Sequence, residues 1–178
     1  MYIIPAYFNA LMIRTKEAIW RLVKERAFHL DVNYDRSIKD SIQAGFYHHF
    51  NKKITDENFP DCQREHGVKT ISVRLFNFRH LGYWADTSEI IIRFSERKCR
   101  PASLRELLAF GEKKPNQQRK FRIVELFSIW ADPLPNYDLP AGTQWTASLA
   151  GGAERRRLDL SGFNNIWNPD TRFLAVLK

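Results

Sequence analysis

The sequence predicts an α+β fold, with a helical N-terminal portion over residues 1–66 and a strand-rich unit over 67–178. Three observations carry that expectation. Apolar residues recur at helical spacing between Thr15 and Phe50, and they alternate with period two from Thr70 to Phe78. Between the strand-like stretches, Pro101-Ala102-Ser103-Leu104-Arg105-Glu106 has the form of a helix start. With 44% hydrophobic and 13% aromatic residues in 178, the chain has the material for an ordinary core.

Taken in order, Thr15 caps a helix running to about His29, with Ile19, Trp20, Leu22, Val23 and Ala27 on its apolar side. Asp31 to Asp35 reads as a polar turn, and a second helix follows from Ser37 to about Phe50 with the stripe Ile42, Phe46, Tyr47 and Phe50. Ile54 to Pro60 reads as a capped turn. Beyond it, Thr70–Phe78 is a half-buried strand, and the Ile-Ile-Ile run makes Glu89–Phe94 another. The helix capped by Ser103 buries Leu104, Leu107, Leu108 and Phe110 and stops at Gly111. Phe121–Trp130 is read as a strand, Pro133 to Gly152 as long loops, and Leu158–Leu160 and Phe173–Leu177 as closing strands.

The opening apolar run, Met1 to Ile13, is broken by Pro5 and Asn9 and is too short to span a bilayer. It has no basic lead and no clear small-residue cleavage site, so a signal peptide is not expected. Two cysteines, Cys62 and Cys99, do not make a disulfide framework, and the expected location is the cytoplasm. The net charge of +8 makes a basic nucleic-acid-binding protein the alternative reading. Its basic runs, such as Arg155–Arg157, are scattered and mostly lie beside acids, as on solvated faces.

No P-loop, Gly-x-Ser-x-Gly, His-Glu-x-x-His or dinucleotide fingerprint occurs, so neither an enzyme nor a cofactor is expected. His48, His49, Cys62 and His66 could be assembled into a zinc set, but structural zinc ligands come in tight pairs on turns. Only Cys62 and His66 have such spacing, and no metal is expected.

The segment Cys99-Arg100-Pro101-Ala102-Ser103-Leu104-Arg105-Glu106-Leu107-Leu108 resembles the Arg-(Leu)-Pro-Ser/Thr-x-x-Glu-Trp/Leu helix of C-type-lectin-like proteins of the formylglycine-generating-enzyme type, with one apolar residue fewer after Arg100. The close of the chain, Arg172-Phe173-Leu174-Ala175-Val176, resembles that of the variable proteins of diversity-generating retroelements, which display a randomised surface on this lectin-like fold. The resemblance covers about Ser72 to Lys178. It implies a C-type-lectin-like ligand-binding domain over 67–178 with a variable C-terminal segment, built of small twisted antiparallel sheets with the strand at 71–76 beside that at 173–177. The chain has Trp167-Asn168-Pro169-Asp170 without the partner motif of calcium-dependent sugar binders. It also has no cysteine after Cys99 for the copper chemistry of the formylglycine-generating enzymes.

Codon chemistry offers an independent check. Such retroelements mutate template adenines in codons that keep a pyrimidine third base, and those codons cannot encode Lys, Glu, Gln, Met or Trp. Residues 1–132 hold 28 of these five types, which predicts about seven in the 32 residues 146–177; that stretch holds two, Glu154 and Trp167. Within it, Phe163, Trp167, Phe173, Leu174 and Val176 are expected to anchor the backbone. Asp159, Ser161, Gly162, Asn164, Asn165, Ile166, Asn168, Asp170 and Thr171 are expected to form the variable surface, taking an unknown protein or other macromolecule as partner.

Overall fold

The computed structural model describes residues 27–60, 65–78, 84–133, 140–152 and 155–178. It is an α+β architecture. The helix expected from Thr15 lies outside these residues as far as position 26, but its predicted end does not. Phe28–Asn33 is a strand, β1, whose Leu30 and Val32 point inward while His29, Asp31 and Asn33 face out. The period-two burial of Leu30 and Val32 overrides the helix to His29 and the first part of the turn expected at 31–35, whose end is present as a turn at Tyr34–Asp35. The second helix forms as α1, Ile38–Ala44, with the Ser37 side chain accepting from Asp40 N at its start. It ends well short of Phe50. Phe46 takes a positive φ of 49°, and His49–Phe50 becomes a short edge strand, β2. The turn at 54–60 is present, with Thr55 Oγ1 accepting from Asn58 N.

β3, Val68–Phe76, is the strand that alternation predicted. After β4, Ala85–Asp86, residues Thr87–Glu96 form α2, so the expected strand at Glu89–Phe94 is a helix. Asp86 caps it by accepting from Glu89 N at 2.8 Å, and Thr87, Ile90 and Phe94 are buried at helical spacing. Cap and spacing outweigh the strand preference of three consecutive isoleucines. Then come β5, Cys99–Pro101, and α3, Leu104–Lys113, the helix predicted from its start signal. Glu106 reaches back to accept from Ser103 N at 2.7 Å. It is fully buried, and it also accepts from Tyr34 Oη and both terminal nitrogens of Arg100. Gly111 does not end this helix. A Cβ there would lie 2.1 Å from Tyr47 Oη, so the glycine permits close approach rather than termination.

A short helix α4, Pro115–Gln118, leads to β6, Ile123–Val124, and then β7, Trp130–Ala131. The strand expected over Phe121–Trp130 is broken because Glu125 Oε2 accepts from the backbone N–H of Phe127 and Ser128, both at 2.8 Å, in place of a ladder. The loop expected up to Gly152 gives way to β8, Gln144–Gly151. It pairs antiparallel with β9, Arg156–Gly162, through seven residue pairs. The chain closes with β10, Ile166–Trp167, and β11, Arg172–Leu177.

Among the described residues nine strands form one mixed sheet, ordered β1-β3-β11-β6-β8-β9-β2 with β5 on β11 and β7 on β8, and of the small antiparallel sheets expected a two-stranded one, β4 with β10, is present. The β11–β6 and β2–β9 pairs are parallel. The expected meeting of 71–76 with 173–177 is present: Phe173 lies opposite Phe76 and Val176 opposite Val73. The proposed division at 66/67 falls between β1 and β3, which pair along their length from Phe28↔Val73 to Asn33↔Val68. β11 separates two apolar clusters. Leu174 and Val176 join Leu30, Leu107, Phe110, Leu149 and Leu158, whereas Phe173 and Ala175 join Phe76, Ile90, Phe94 and Trp167. The buried Arg156 guanidinium ties the pieces together, donating to Gly45 O, Gly111 O and Gln118 Oε1. It thereby joins β9 to the C-terminal ends of α1 and α3, where helix dipoles favour a cation.

Candidate binding surface

β4 and β10 form a two-stranded ribbon beside the main sheet, with Ile166 opposite Asp86 and Trp167 opposite Ala85. Strand alternation assigns its two faces. Trp167 and Ala85 point inward, at 4% and 3% exposure, while Ile166 at 63% and Trp84 at 58% point to solvent with Asp86. Trp167 meets Phe173 edge to face at 5.5 Å, and its indole N–H donates to Thr87 Oγ1 at 2.8 Å. The Thr87 hydroxyl in turn donates to Phe163 O. A β-ribbon of two residues per strand is marginal alone, and these contacts fasten it to the start of α2.

Of the residues expected to vary, Asn164, Asn165, Ile166, Asn168 and Asp170 are exposed, and Asp159 and Gly162 are half-buried. Ser161 and Thr171 are corrected: both are buried, at 3% and 4% exposure. Ser161 lies on the face of β9 opposite Leu158, where it is covered all the same: its hydroxyl donates to Ser148 Oγ and accepts from Arg122. Thr171 closes the turn after β10, its N–H donating to Asn168 O at 2.9 Å. Asp159 ion-pairs with Arg157 at 3.2 Å. Of the expected anchors, Trp167, Phe173, Leu174 and Val176 are buried, and Phe163 is partly so.

An open groove of about 620 Å³ runs alongside, between residues 140–145 and the trio Gly162, Asn164 and Asn165. Its floor carries Trp145, paired with Gly162 on β9, and its rim carries Gln144, which accepts from Asn164 Nδ2 at 3.4 Å. Groove and ribbon face are contiguous through Asn164-Asn165-Ile166. Sequence reasoning missed Trp84 and the wall at 140–145. A tryptophan is read as core by default, and nothing in residues 84–86 announces a strand too short to show a period.

The remaining candidate chemistry disperses. Cys62 lies outside the described residues, His48 Nδ1 accepts from Arg156 N, and His66 faces Asp35 at 3.5 Å. Among the described residues no three potential ligands gather to hold a metal, and no helix is long and apolar enough to cross a membrane. Glu125 is a strongly perturbed carboxyl. Complete burial pushes it up to about 7, against the pull of hydrogen bonds from Ser128, Thr146, Phe127 and Ala147. It is sealed beneath β8, away from the groove lining, as a structural group. Compared with family models, with curated proteins and with solved structures, the chain matches none.

Proposed function

We propose that the chain is a non-enzymatic, cytoplasmic binding protein that presents a diversified surface on a C-type-lectin-like scaffold, as retroelement variable proteins do. One observation carries the reading. Between Gly162 and Asp170, exposed polar or apolar side chains flank a deeply buried Trp167, so sequence can change at the surface while the backbone stays anchored. The shortage of Lys, Glu, Gln, Met and Trp over 146–177 supports it independently. So does the Arg100–Glu106 pair at the start of α3, which gives the lectin-like helix motif a role in joining β5 to α3.

The rival, a basic nucleic-acid-binding protein, rests on net charge, and titration with random DNA and RNA separates the two. Binding by counterion release falls steeply with salt and ignores the identity of residues 164–170. The binding-surface reading expects weak, salt-sensitive nucleic-acid association that is unchanged when Asn164, Asn165, Ile166, Asn168 and Asp170 are permuted. It also expects the permuted protein to keep its melting temperature, because exposed substitutions change stability by about 0.5 kcal/mol or less. Tight nucleic-acid binding as the sole activity, indifferent to that permutation, overturns the proposal.

A further inference from the structure

We propose that the corner where α1, α3 and α4 end against the start of β9 is a second binding site, which takes single-stranded nucleic acid: Arg119, Lys120 and Arg155 hold phosphates, and Phe46 stacks on a base. It lies at the other end of β9 from Gly162 and shares no residue with the surface around Trp167. These residues are scattered in the sequence, and the buried Arg156 guanidinium gathers them. It donates to Gly45 O, next to Phe46, to Gly111 O in the last turns of α3, and to Gln118 Oε1, next to Arg119. The His48 N–H donates to Arg156 O at 3.0 Å, and the Arg156 N–H donates to His48 Nδ1 at 3.2 Å, so residues 45–48 wrap the start of β9. Burial lowers the proton affinity of Arg156, and the neighbouring Arg119 charge lowers it further.

The corner is basic after its acids are counted. Lys113, Lys114, Arg119, Lys120 and Arg122 stand against Glu112, and Arg155–Arg157 stand between Glu154 and Asp159. Glu106 and Glu125, the next acids on either side of the first stretch, are fully buried. Glu112 ion-pairs with Arg36 at 2.7 Å and Lys113 at 3.5 Å, and Asp159 pairs with Arg157 at 3.2 Å. Glu154 lies outside the described residues. Among the described residues the charged groups of Arg119, Lys120 and Arg155 have no partner, and all three side chains are exposed. Phe46 is 81% exposed, and its φ of 49° is a left-handed conformation that a residue with a Cβ adopts only at a cost. Strained backbone that positions a side chain without packing it is a mark of functional sites. Gln43, His48 and His49 around it are exposed and polar, and Phe50 on β2 is the next exposed apolar side chain. Single rings among polar and cationic side chains suit the stacking of unpaired bases; they lack the continuous apolar face that an amphipathic segment buries in lipid.

The probe is a fluorescent oligodeoxythymidine of about twelve nucleotides, titrated with the full chain by anisotropy between about 50 and 200 mM salt. The expected result is weak association, with a Kd on the order of micromolar, that falls as salt rises. Replacing Arg119, Lys120 and Arg155 by Ala should flatten the slope of log affinity against log salt by roughly 0.7 for each cation removed. Phe46→Ala should weaken binding about fivefold or more with the slope unchanged, and Phe46→Trp should restore it. All these side chains are exposed, so the variants should keep the wild-type melting temperature. A salt slope untouched by the three alanines overturns the inference. Phe46→Ala without effect, or with the same effect on a duplex, overturns the single-strand assignment. Phe46-dependent binding to phosphatidylserine vesicles, with none to the oligonucleotide, overturns it in favour of a membrane surface. Each of these failures leaves the reading of the Trp167 surface standing, because permuting residues 164–170 touches none of these side chains.

Discussion

Trp167→Ala should destabilise the protein by about 3–5 kcal/mol, while Ile166→Ala, one residue away, should change stability by about 0.5 kcal/mol or less. The two side chains point to opposite faces of β10. Trp167 is 4% exposed, packs on Phe173 and satisfies its indole N–H at Thr87, whereas Ile166 is 63% exposed. Truncating the tryptophan opens a ring-sized cavity in the cluster around Phe94 and leaves Thr87 without its indole donor. Against a typical total of about 5–15 kcal/mol, such a loss leaves many variants marginal. Chemical unfolding of both variants measures the contrast. Equal losses at the two positions would mean that β10 does not separate an anchored face from a free one.

A second large effect concerns Glu125. Its Oε2 is occupied by two backbone N–H groups, and its Oε1 lies 2.8 Å from Thr146 Oγ1. Thr146 has one hydroxyl proton, yet its oxygen also approaches Glu125 O at 2.7 Å and Ser128 O at 3.2 Å. If Glu125 carries a proton on Oε1, it donates to Thr146, and Thr146 donates to the Glu125 carbonyl. Ionised, Glu125 leaves Thr146 short of protons among several acceptors. All its hydrogen-bond partners are neutral, so burial dominates and the folded carboxyl titrates at about 7, above the ordinary value of 4.5.

The sign follows from proton binding. Between those values the folded state holds a proton that the unfolded state has released, so stability falls as pH rises. The contribution is fully present below about pH 4.5, is lost progressively up to about pH 7, and stays lost beyond it; its size is about 3 kcal/mol. Glu125→Gln keeps the two bonds accepted from Phe127 and Ser128 and the donation to Thr146 at every pH, giving up only the long 3.4 Å bond that Ala147 N–H donates to Oε1. Wild type and the Gln variant should therefore be nearly equally stable at pH 4.5, with the Gln variant the more stable by about 3 kcal/mol at pH 8. Denaturant titrations at a series of pH values read this difference. A wild type more stable than the variant at pH 8 would show that the ionised carboxylate is the form the site is built for.

How much of this was legible in the sequence depends on how each residue carries its signal. β3 was legible because Ile71, Val73 and Leu75 alternate with Thr70, Ser72 and Arg74; β11 was read from alternation too, although its buried run Phe173–Val176 does not alternate. The start of α3 was legible because Pro101, Ser103 and Glu106 stand at cap spacing. α2 was not, because its signal lies in the Asp86 cap and the seven-residue step from Thr87 to Phe94, which three isoleucines obscure.

β8 was hidden for a different reason. Its buried residues are Thr146, Ala147, Ser148 and Leu149, small or hydroxylated side chains whose burial depends on partners such as Glu125 and Ser161 that sequence order does not reveal. At the candidate surface, the pattern of anchors around Trp167 was legible. Ser161 and Thr171 were misplaced because polarity was taken for exposure, and Trp84 was overlooked because exposure of a large ring is a tertiary fact.

The central claim is that the exposed positions around Trp167 are free to vary while the residues beneath them are not, and sequencing the DNA that flanks the coding region tests it most directly. The account predicts a near-identical repeat of the 3′ coding end together with a reverse transcriptase gene. The copies should differ where the template has adenine, in codons for Asp159, Gly162, Asn164, Asn165, Ile166, Asn168 and Asp170, the half-buried and exposed positions. Codons for Trp167 and Phe173, which are buried, and for Phe163, which packs against their cluster, should be identical in both copies. Absence of the repeat and the reverse transcriptase, or differences that fall on Trp167 and Phe173 as often as on their exposed neighbours, would contradict it.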